Sequence, residues 1–404
     1  MPDGFVNASK AYLELTDEQE LIISQVDGVC REVRPIEDGC YLDHRYNGAV
    51  ADLFGQARLL GLPISTLYGD GQGIDMVTYA MAIERIGREG TGVRTFFSGH
   101  VSLGMLTVQR WGTEEQKERY LPSGTRGKKV FAFGLTEPGA GSDPASLQTE
   151  FQEAEDGFVL NGQKTWISNG SVADSVLIFA YPKGRREGMC AFVVDRDSDG
   201  FSAKPIKNKL GLFSSDTGTI YLDECQVPKE NLLGPRGKGL SVAYSALMSG
   251  RLSVAAGCVG VIQDCLDETV RYSQLRVQHG KPIGMHQLVQ RHIGRMEVNL
   301  QAAAMLTLRA AVLHQRHQDQ PDSVATREAA DAAIAEAKYF ASNASFEAAD
   351  SAVQVFGANG YSLENRPGRH LVDTRVSRIY EGTNEILEQK IANSLLGKGF
   401  EAYS

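Results

Sequence analysis

Phe158-Val159-Leu160-Asn161-Gly162-Gln163-Lys164-Thr165-Trp166 is a run of strand-forming residues in a chain whose remaining pattern is largely helical. Its Asn161-Gly162 dipeptide is typical of a two-residue hairpin turn, so we predict a β-hairpin at this point. Short apolar runs flank it at residues 130–133, 176–181, 190–194 and 219–222. The change from helical to strand periodicity across residues 129–239 therefore predicts a central β domain.

Helical periodicity predominates on both sides of this β domain. Residues 16–121 carry apolar residues near helical spacing. Val289, Ile293, Met296 and Leu300 follow the spacing of one buried helix face, within a region of long helices separated by short breaks. We therefore predict an α+β fold that is mostly α. Its predicted parts are an N-terminal helical domain (1–128), the β domain (129–239) and a C-terminal helical bundle (240–404).

Composition narrows the classes of function. The 404 residues carry a formal net charge of -9, which argues against nucleic-acid binding because that function needs a basic face. We find no apolar run near the roughly 18 residues of a membrane helix, and predict no membrane span. Met1-Pro2-Asp3-Gly4-Phe5 lacks the features of a secretory signal. The expected location is the cytoplasm, or the mitochondrial matrix if a presequence has been removed.

Cysteine and histidine spacing gives no indication of a metal site. The six cysteines form no Cys-x-x-Cys pair, and the eight histidines form no His-x-x-x-His pattern. We expect reduced, buried thiols in a reducing compartment, and no metal.

Two loops of the β domain carry groups that suit a ligand. Gly134-Leu135-Thr136-Glu137-Pro138-Gly139-Ala140-Gly141-Ser142-Asp143 follows a strand and offers main-chain N–H groups and hydroxyls, although a plain turn explains it equally well. It lacks the third glycine of a dinucleotide-binding fingerprint. Lys164-Thr165-Trp166-Ile167-Ser168-Asn169-Gly170 places a tryptophan beside a hydroxyl. That indole either packs in the core or stacks on a planar ring.

Three segments of the C-terminal region also stand out. Arg276-Val277-Gln278-His279-Gly280-Lys281-Pro282 and Gln354-Val355-Phe356-Gly357-Ala358-Asn359-Gly360-Tyr361 close long helices, where a cation and a glycine are ordinary. Arg378-Ile379-Tyr380-Glu381-Gly382-Thr383-Asn384-Glu385 places a carboxylate before a helix. Glu381 is either a helix-capping acid or a base directed at a bound small molecule.

The order of these segments closely resembles the acyl-CoA dehydrogenase family of flavoproteins. The resemblance extends over residues 15–397 and includes Lys209-Leu210-Gly211 followed by Ser215-x-Thr217. It implies a helical domain, a β-barrel domain and a four-helix bundle, which is the order predicted from periodicity. It also implies FAD as cofactor, an acyl-CoA or acyl-carrier thioester as substrate and an electron-transfer flavoprotein as acceptor.

The resemblance also implies residue roles. Trp166 would pack on the flavin with Ser168 near N5. Arg276 would reach the pyrophosphate, and Gln354 with Gly357 would hold the adenine end. In a homotetramer or homodimer, a neighbouring subunit would complete the FAD site. The implied FAD contacts are Phe133, Leu135, Thr136, Gly141, Ser142, Trp166, Ser168, Arg276, Gln354, Gly357 and Thr383. The implied thioester contacts are Ser142, Arg251, Tyr380 and Gly382.

Glu381 is the implied catalytic base, which removes the α-proton while the β-hydrogen leaves as hydride. Some members carry a second base just before an arginine of the bundle, where this chain has Gly250 before Arg251. A helix-surface position is the alternative for Arg251. The chain departs from the usual family pattern at His279, Ala358 and Val372. These departures indicate a specialised acyl substrate. Two alternatives remain: a flavin oxidase or oxygenase that uses O2, and a non-catalytic scaffold without flavin.

Overall fold

The computed structural model describes residues 14–397 and 399–400, so the expectation for Met1–Phe5 concerns residues outside the described ranges. Helix starts in the N-terminal region follow ordinary capping chemistry: Thr16 and Gln19 form a capping box, and the Asp75 side chain accepts the N–H groups of Val77 and Thr78. The helices are α1 (Asp17–Leu42), α2 (Ala49–Gln56), α3 (Met76–Glu89), α4 (Thr91–Phe97), a π-helix (Ser98–Met105), α5 (Leu106–Trp111) and α6 (Glu114–Thr125).

The predicted β domain is present as one eight-stranded sheet. The strands are β1 (Phe131–Gly134), β2 (Glu150–Ala154), β3 (Gly157–Ser168), β4 (Ser175–Pro182), β5 (Cys190–Asp195), β6 (Phe201–Pro205), β7 (Thr217–Pro228) and β8 (Leu232–Leu233). Their order in the sheet is β6-β7-β3-β2-β4-β5-β8, with β1 pairing parallel to β4. Phe151, Phe158 and Phe192 contact one another with ring centroids 5.0–5.7 Å apart, although they lie on β2, β3 and β5, so the sheet curls around a shared interior.

The predicted hairpin at Asn161-Gly162 is wrong. Gly162 lies inside β3, and both halves of that strand pair with β7, with a register shift between Leu160 and Gly162. A Cβ at Gly162 would approach the Thr149 Cα to 2.8 Å. The glycine therefore serves close main-chain contact at a bulge rather than a turn.

The C-terminal region is a bundle of long helices, as predicted. It consists of α7 (Gly239–Leu275), the strand pair β9 (Val277–Gln278) and β10 (Lys281–Pro282), α8 (Gln287–Asp319), α9 (Val324–Phe356), α10 (Arg366–Thr374) and α11 (Asn384–Leu396). Contrary to the sequence-based expectation, α7 has the length and hydropathy of a membrane span. Its apolar window is 94% buried inside the structure, as expected for the central helix of a protein core.

Candidate active site

Glu381 lies on a short turn between α10 and α11. Its φ of 56° and the φ of 94° at Gly382 are left-handed, a conformation that is unfavourable for a glutamate by about 1–2 kcal/mol. The α11 cap is Thr383, whose hydroxyl accepts the Ile386 N–H at 3.4 Å. The capping alternative for Glu381 is therefore wrong, and the unfavourable turn must be held by other contacts.

The contacts of Glu381 hold its main chain and leave one carboxylate oxygen without a partner. The Arg251 Nε donates to the Glu381 carbonyl at 2.8 Å, and the Ser98 hydroxyl donates to Oε1 at 3.0 Å. Among the described residues, the buried Oε2 has no hydrogen-bond partner. A Cβ at Gly250 would overlap Oε2, so glycine at that position makes room for the carboxyl group.

The surroundings of the Glu381 carboxyl group favour its protonated form relative to an exposed glutamate. Burial raises its pKa above the ordinary value of 4.5, and the charges of Arg94, Arg251 and Lys338 offset this in part. Arg94 is buried, donates to the Tyr380 hydroxyl and lies 5.2 Å from that ring's centroid. Arg251 is 6% exposed, so its predicted helix-surface alternative is wrong.

The β domain presents a second set of predicted residues. Phe133 and Leu135 are buried at the end of β1, and the Thr136 carbonyl accepts the Thr165 N–H at 2.9 Å, which fixes the 134–143 loop against β3. Gly141 and Ser142 are exposed.

The π-helix connects this set to Glu381. A Cβ at Gly99 would lie 3.6 Å from the Ser168 Cβ, while the adjacent Ser98 contacts the Glu381 carboxylate. Ser168 and Glu381 therefore lie against adjacent residues of the same π-helix. The Trp166 indole is 60% exposed, so the core alternative for this side chain is wrong.

Arg276, Gln354 and Gly357 form a separate exposed group. They lie at the C-terminal ends of α7 and α9, where Tyr272 and Phe356 stack with centroids 4.1 Å apart. Arg276 is about 37 Å from Arg251 along α7, from the rise of 1.5 Å per residue. One chain therefore does not bring this group to Glu381.

Four residues near Glu381 were not predicted from the sequence: Arg94, Ser98, Gly99 and Lys338. Lys338 belongs to a long alanine-rich helix, and nothing in its spacing distinguishes it. Gly99 and Gly104 interrupt a helical pattern, which is the one signal that indicates close packing at this segment.

Comparison with known proteins identifies the family. The acyl-CoA dehydrogenase N-terminal, middle and C-terminal domain models match residues 16–128, 132–225 and 237–396. An acyl-CoA dehydrogenase of Bacillus subtilis is 36% identical over 388 residues, which are 95% of this chain and 100% of the relative. The chain belongs to the acyl-CoA dehydrogenase family, and is an oxidoreductase that acts on CH–CH groups.

Solved structures agree with this assignment. A chain from the structure of the electron transferring flavoprotein of Acidaminococcus fermentans has a TM-score of 0.90 and 33% identity, covering 95% of this chain and 99% of its own length. A glutaryl-CoA dehydrogenase of Mycobacterium smegmatis in complex with FADH2 has a TM-score of 0.88 and 29% identity, covering 96% and 97%.

Residues of the β domain and the Glu381 carboxyl group fit a flavin. An exposed indole on β3 offers a planar stacking surface. In the described part of the chain, no atom other than those of the adjacent residues lies within 4 Å of a Cβ built at Gly139 or Gly141, so the main chain there is open to a ligand. The buried, unpartnered Oε2 of Glu381 indicates that a group outside this chain completes the site.

Proposed function

We propose that this enzyme uses FAD to convert an acyl thioester into the trans-2-enoyl thioester, with Glu381 as the base that removes the α-proton. The observation that carries the proposal is the Glu381 carboxyl group, whose buried Oε2 has no partner in the described part of the chain. Its raised pKa makes it a stronger base than an exposed glutamate, and its position at a flavin-compatible surface suits proton abstraction from a bound thioester.

The chain's own residues would position both reactants. Phe133, Leu135, Thr136, Gly141, Ser142, Trp166, Ser168 and Thr383 would hold the flavin, which when bound accepts the β-hydrogen as hydride at N5. Ser142, Arg251, Tyr380 and Gly382 would contact the thioester. The Glu381 N–H would stabilise the charge that develops on the thioester carbonyl, because a fixed donor costs little reorganisation.

Arg276, Gln354 and Gly357 would complete the FAD site of a neighbouring subunit. The distance of Arg276 from Arg251 along α7 supports a homotetramer or homodimer rather than a complete site in one chain. We also infer an electron-transfer flavoprotein as acceptor, supported by the similarity to the Acidaminococcus fermentans chain, and a cytoplasmic or matrix location.

Anaerobic flavin bleaching tests the proposed reaction. The purified protein should be yellow, and an acyl-CoA panel with one acyl-carrier substrate should bleach the flavin and yield enoyl product. In air, the reduced enzyme should pass electrons to a dye and release little hydrogen peroxide. Peroxide formation without a need for dye would instead support the oxidase alternative. A protein that binds no FAD would support the scaffold alternative.

A further inference from the structure

A buried ammonium group lies beneath the turn that carries Glu381. The Lys338 side chain is fully buried, and it lies on the alanine-rich helix α9. Its Nζ donates to the Gly382 carbonyl at 2.8 Å and to Asn384 Oδ1 at 3.0 Å. Both acceptors are neutral, so a charge that is expensive to bury is directed at the turn rather than at a carboxylate.

The turn is held by two cations on consecutive carbonyl groups. Arg251 donates to the carbonyl of Glu381, and Lys338 donates to that of Gly382. Asn384 also donates to the Ser342 hydroxyl at 3.0 Å, which ties the start of α11 to α9. Because both peptide groups are fixed, the left-handed φ of Glu381 is maintained despite its cost, while Gly382 adopts its own positive φ without such a cost.

We propose that Lys338 is a positioning residue of the dehydrogenation reaction. Through Gly382 and Asn384 it holds the 381–382 turn in the left-handed conformation that points Glu381 Oε2 toward the substrate. Its charge also acts on Glu381 through space and favours the ionised carboxylate, as do Arg94 and Arg251. Within the described part of the chain, Lys338 forms no hydrogen bond with the Glu381 carboxylate. This role rests on the proposed function of Glu381.

Lys338→Met tests the role, because it keeps the length of the side chain and removes the ammonium group. We expect FAD to be retained and KM for the acyl-CoA to stay within about twofold, whereas the rate of flavin reduction falls by about 10²-fold, since small misplacement of a reacting group has such effects. The pH at which that rate is half-maximal should move upward, because a cation that favours ionised Glu381 is lost.

Ile334→Ala is the matched control. Ile334 is fully buried one turn away on α9, and its truncation destabilises the same helix without removing a hydrogen bond to the turn, because its side chain is apolar. We expect it to lower the melting temperature while leaving the rate and its pH profile near wild type. If Lys338→Met behaves like Ile334→Ala, the proposal is wrong.

Two further variants keep the test decisive. If Lys338→Met does not fold, Asn384→Ala removes one acceptor of the ammonium group and should lower the flavin-reduction rate in the same direction. A normal rate in Asn384→Ala would then contradict the proposal. Glu381→Gln distinguishes failure of the proposed function from failure of the role of Lys338. A normal rate in Glu381→Gln overturns the proposed function. An inactive Glu381→Gln together with a Lys338→Met that behaves like Ile334→Ala overturns only the role of Lys338.

Discussion

Gly250 and Glu381 determine each other's geometry. The carboxyl group of Glu381 occupies the space where any other residue at position 250 would place its Cβ. The family resemblance indicated that Gly250 stands where some members carry a second base. It did not predict this contact, because residues 131 positions apart become neighbours only through the packing of α7 against the turn. Glu381 itself was predicted as a candidate base from the residues around it.

Gly250→Ala should therefore impair catalysis. The added methyl group displaces Glu381 Oε2, and we expect flavin reduction by acyl-CoA to fall by about 10²-fold, since a shift near 1 Å at a reacting group has an effect of that size. Stopped-flow absorbance at the flavin band measures the rate. Ala246→Gly, one turn earlier on α7, controls for altered helix propensity, and equal rates in the two variants would contradict the predicted contact.

The helical segment 91–111 is where the structure differs most from the pattern of its sequence. The spacing over residues 16–121 predicted helices without distinguishing their type, yet residues 98–105 form a π-helix. Periodicity does not distinguish α from π geometry over eight residues, and the wide turn is stabilised by tertiary contacts. One of these is His100, whose Nδ1 accepts the Phe131 N–H at 3.1 Å and whose Nε2 donates to the Gly124 carbonyl at 3.1 Å.

His100 should make the fold sensitive to acid. Burial lowers its pKa from 6.5 to about 4, so the unfolded state binds more protons between those values. His100 therefore does not lower the free energy of unfolding above about pH 6.5. As the pH drops from 6.5 toward 4, this group lowers the free energy of unfolding by on the order of 3 kcal/mol.

His100→Gln, which keeps a donor and an acceptor, tests this prediction. Because the other titratable groups are common to both proteins, the difference between the two unfolding curves isolates His100. The free energy of unfolding, measured with urea from pH 4 to 7, should depend less steeply on pH in the variant. Identical slopes would contradict a neutral, buried His100.

At the scale of the whole molecule, the sequence predicted the order of helical region, β domain and helical bundle. Patterns that extend over tens of residues survive local errors such as the predicted hairpin, which failed because close contact with Thr149 and not a turn requires Gly162. The resemblance implied that some of the candidate cofactor residues act from a neighbouring subunit, but the sequence did not show how far they lie from the others within one chain. Their separation depends on the length of α7, which runs unbroken for 37 residues.

Arg276→Met should weaken FAD binding without unfolding the chain, because Arg276 is exposed. We expect the dissociation constant for FAD to rise by about tenfold, from the loss of one charge-assisted contact. Mixed oligomers of Arg276→Met and Glu381→Gln subunits should regain activity, since one composite site then contains both native residues. No regain in verified mixed oligomers would contradict a site shared between subunits.

The role of Glu381 as the base is tested most directly by anaerobic flavin reduction by an acyl-CoA substrate in Glu381→Gln, compared with the native enzyme. We predict that the variant keeps its yellow FAD and binds the thioester, but that bleaching slows by at least about 10²-fold, the usual minimum for loss of a general base. In the native enzyme the rate should rise with pH through the raised pKa of Glu381. Bleaching of Glu381→Gln at the native rate would show that the base lies elsewhere.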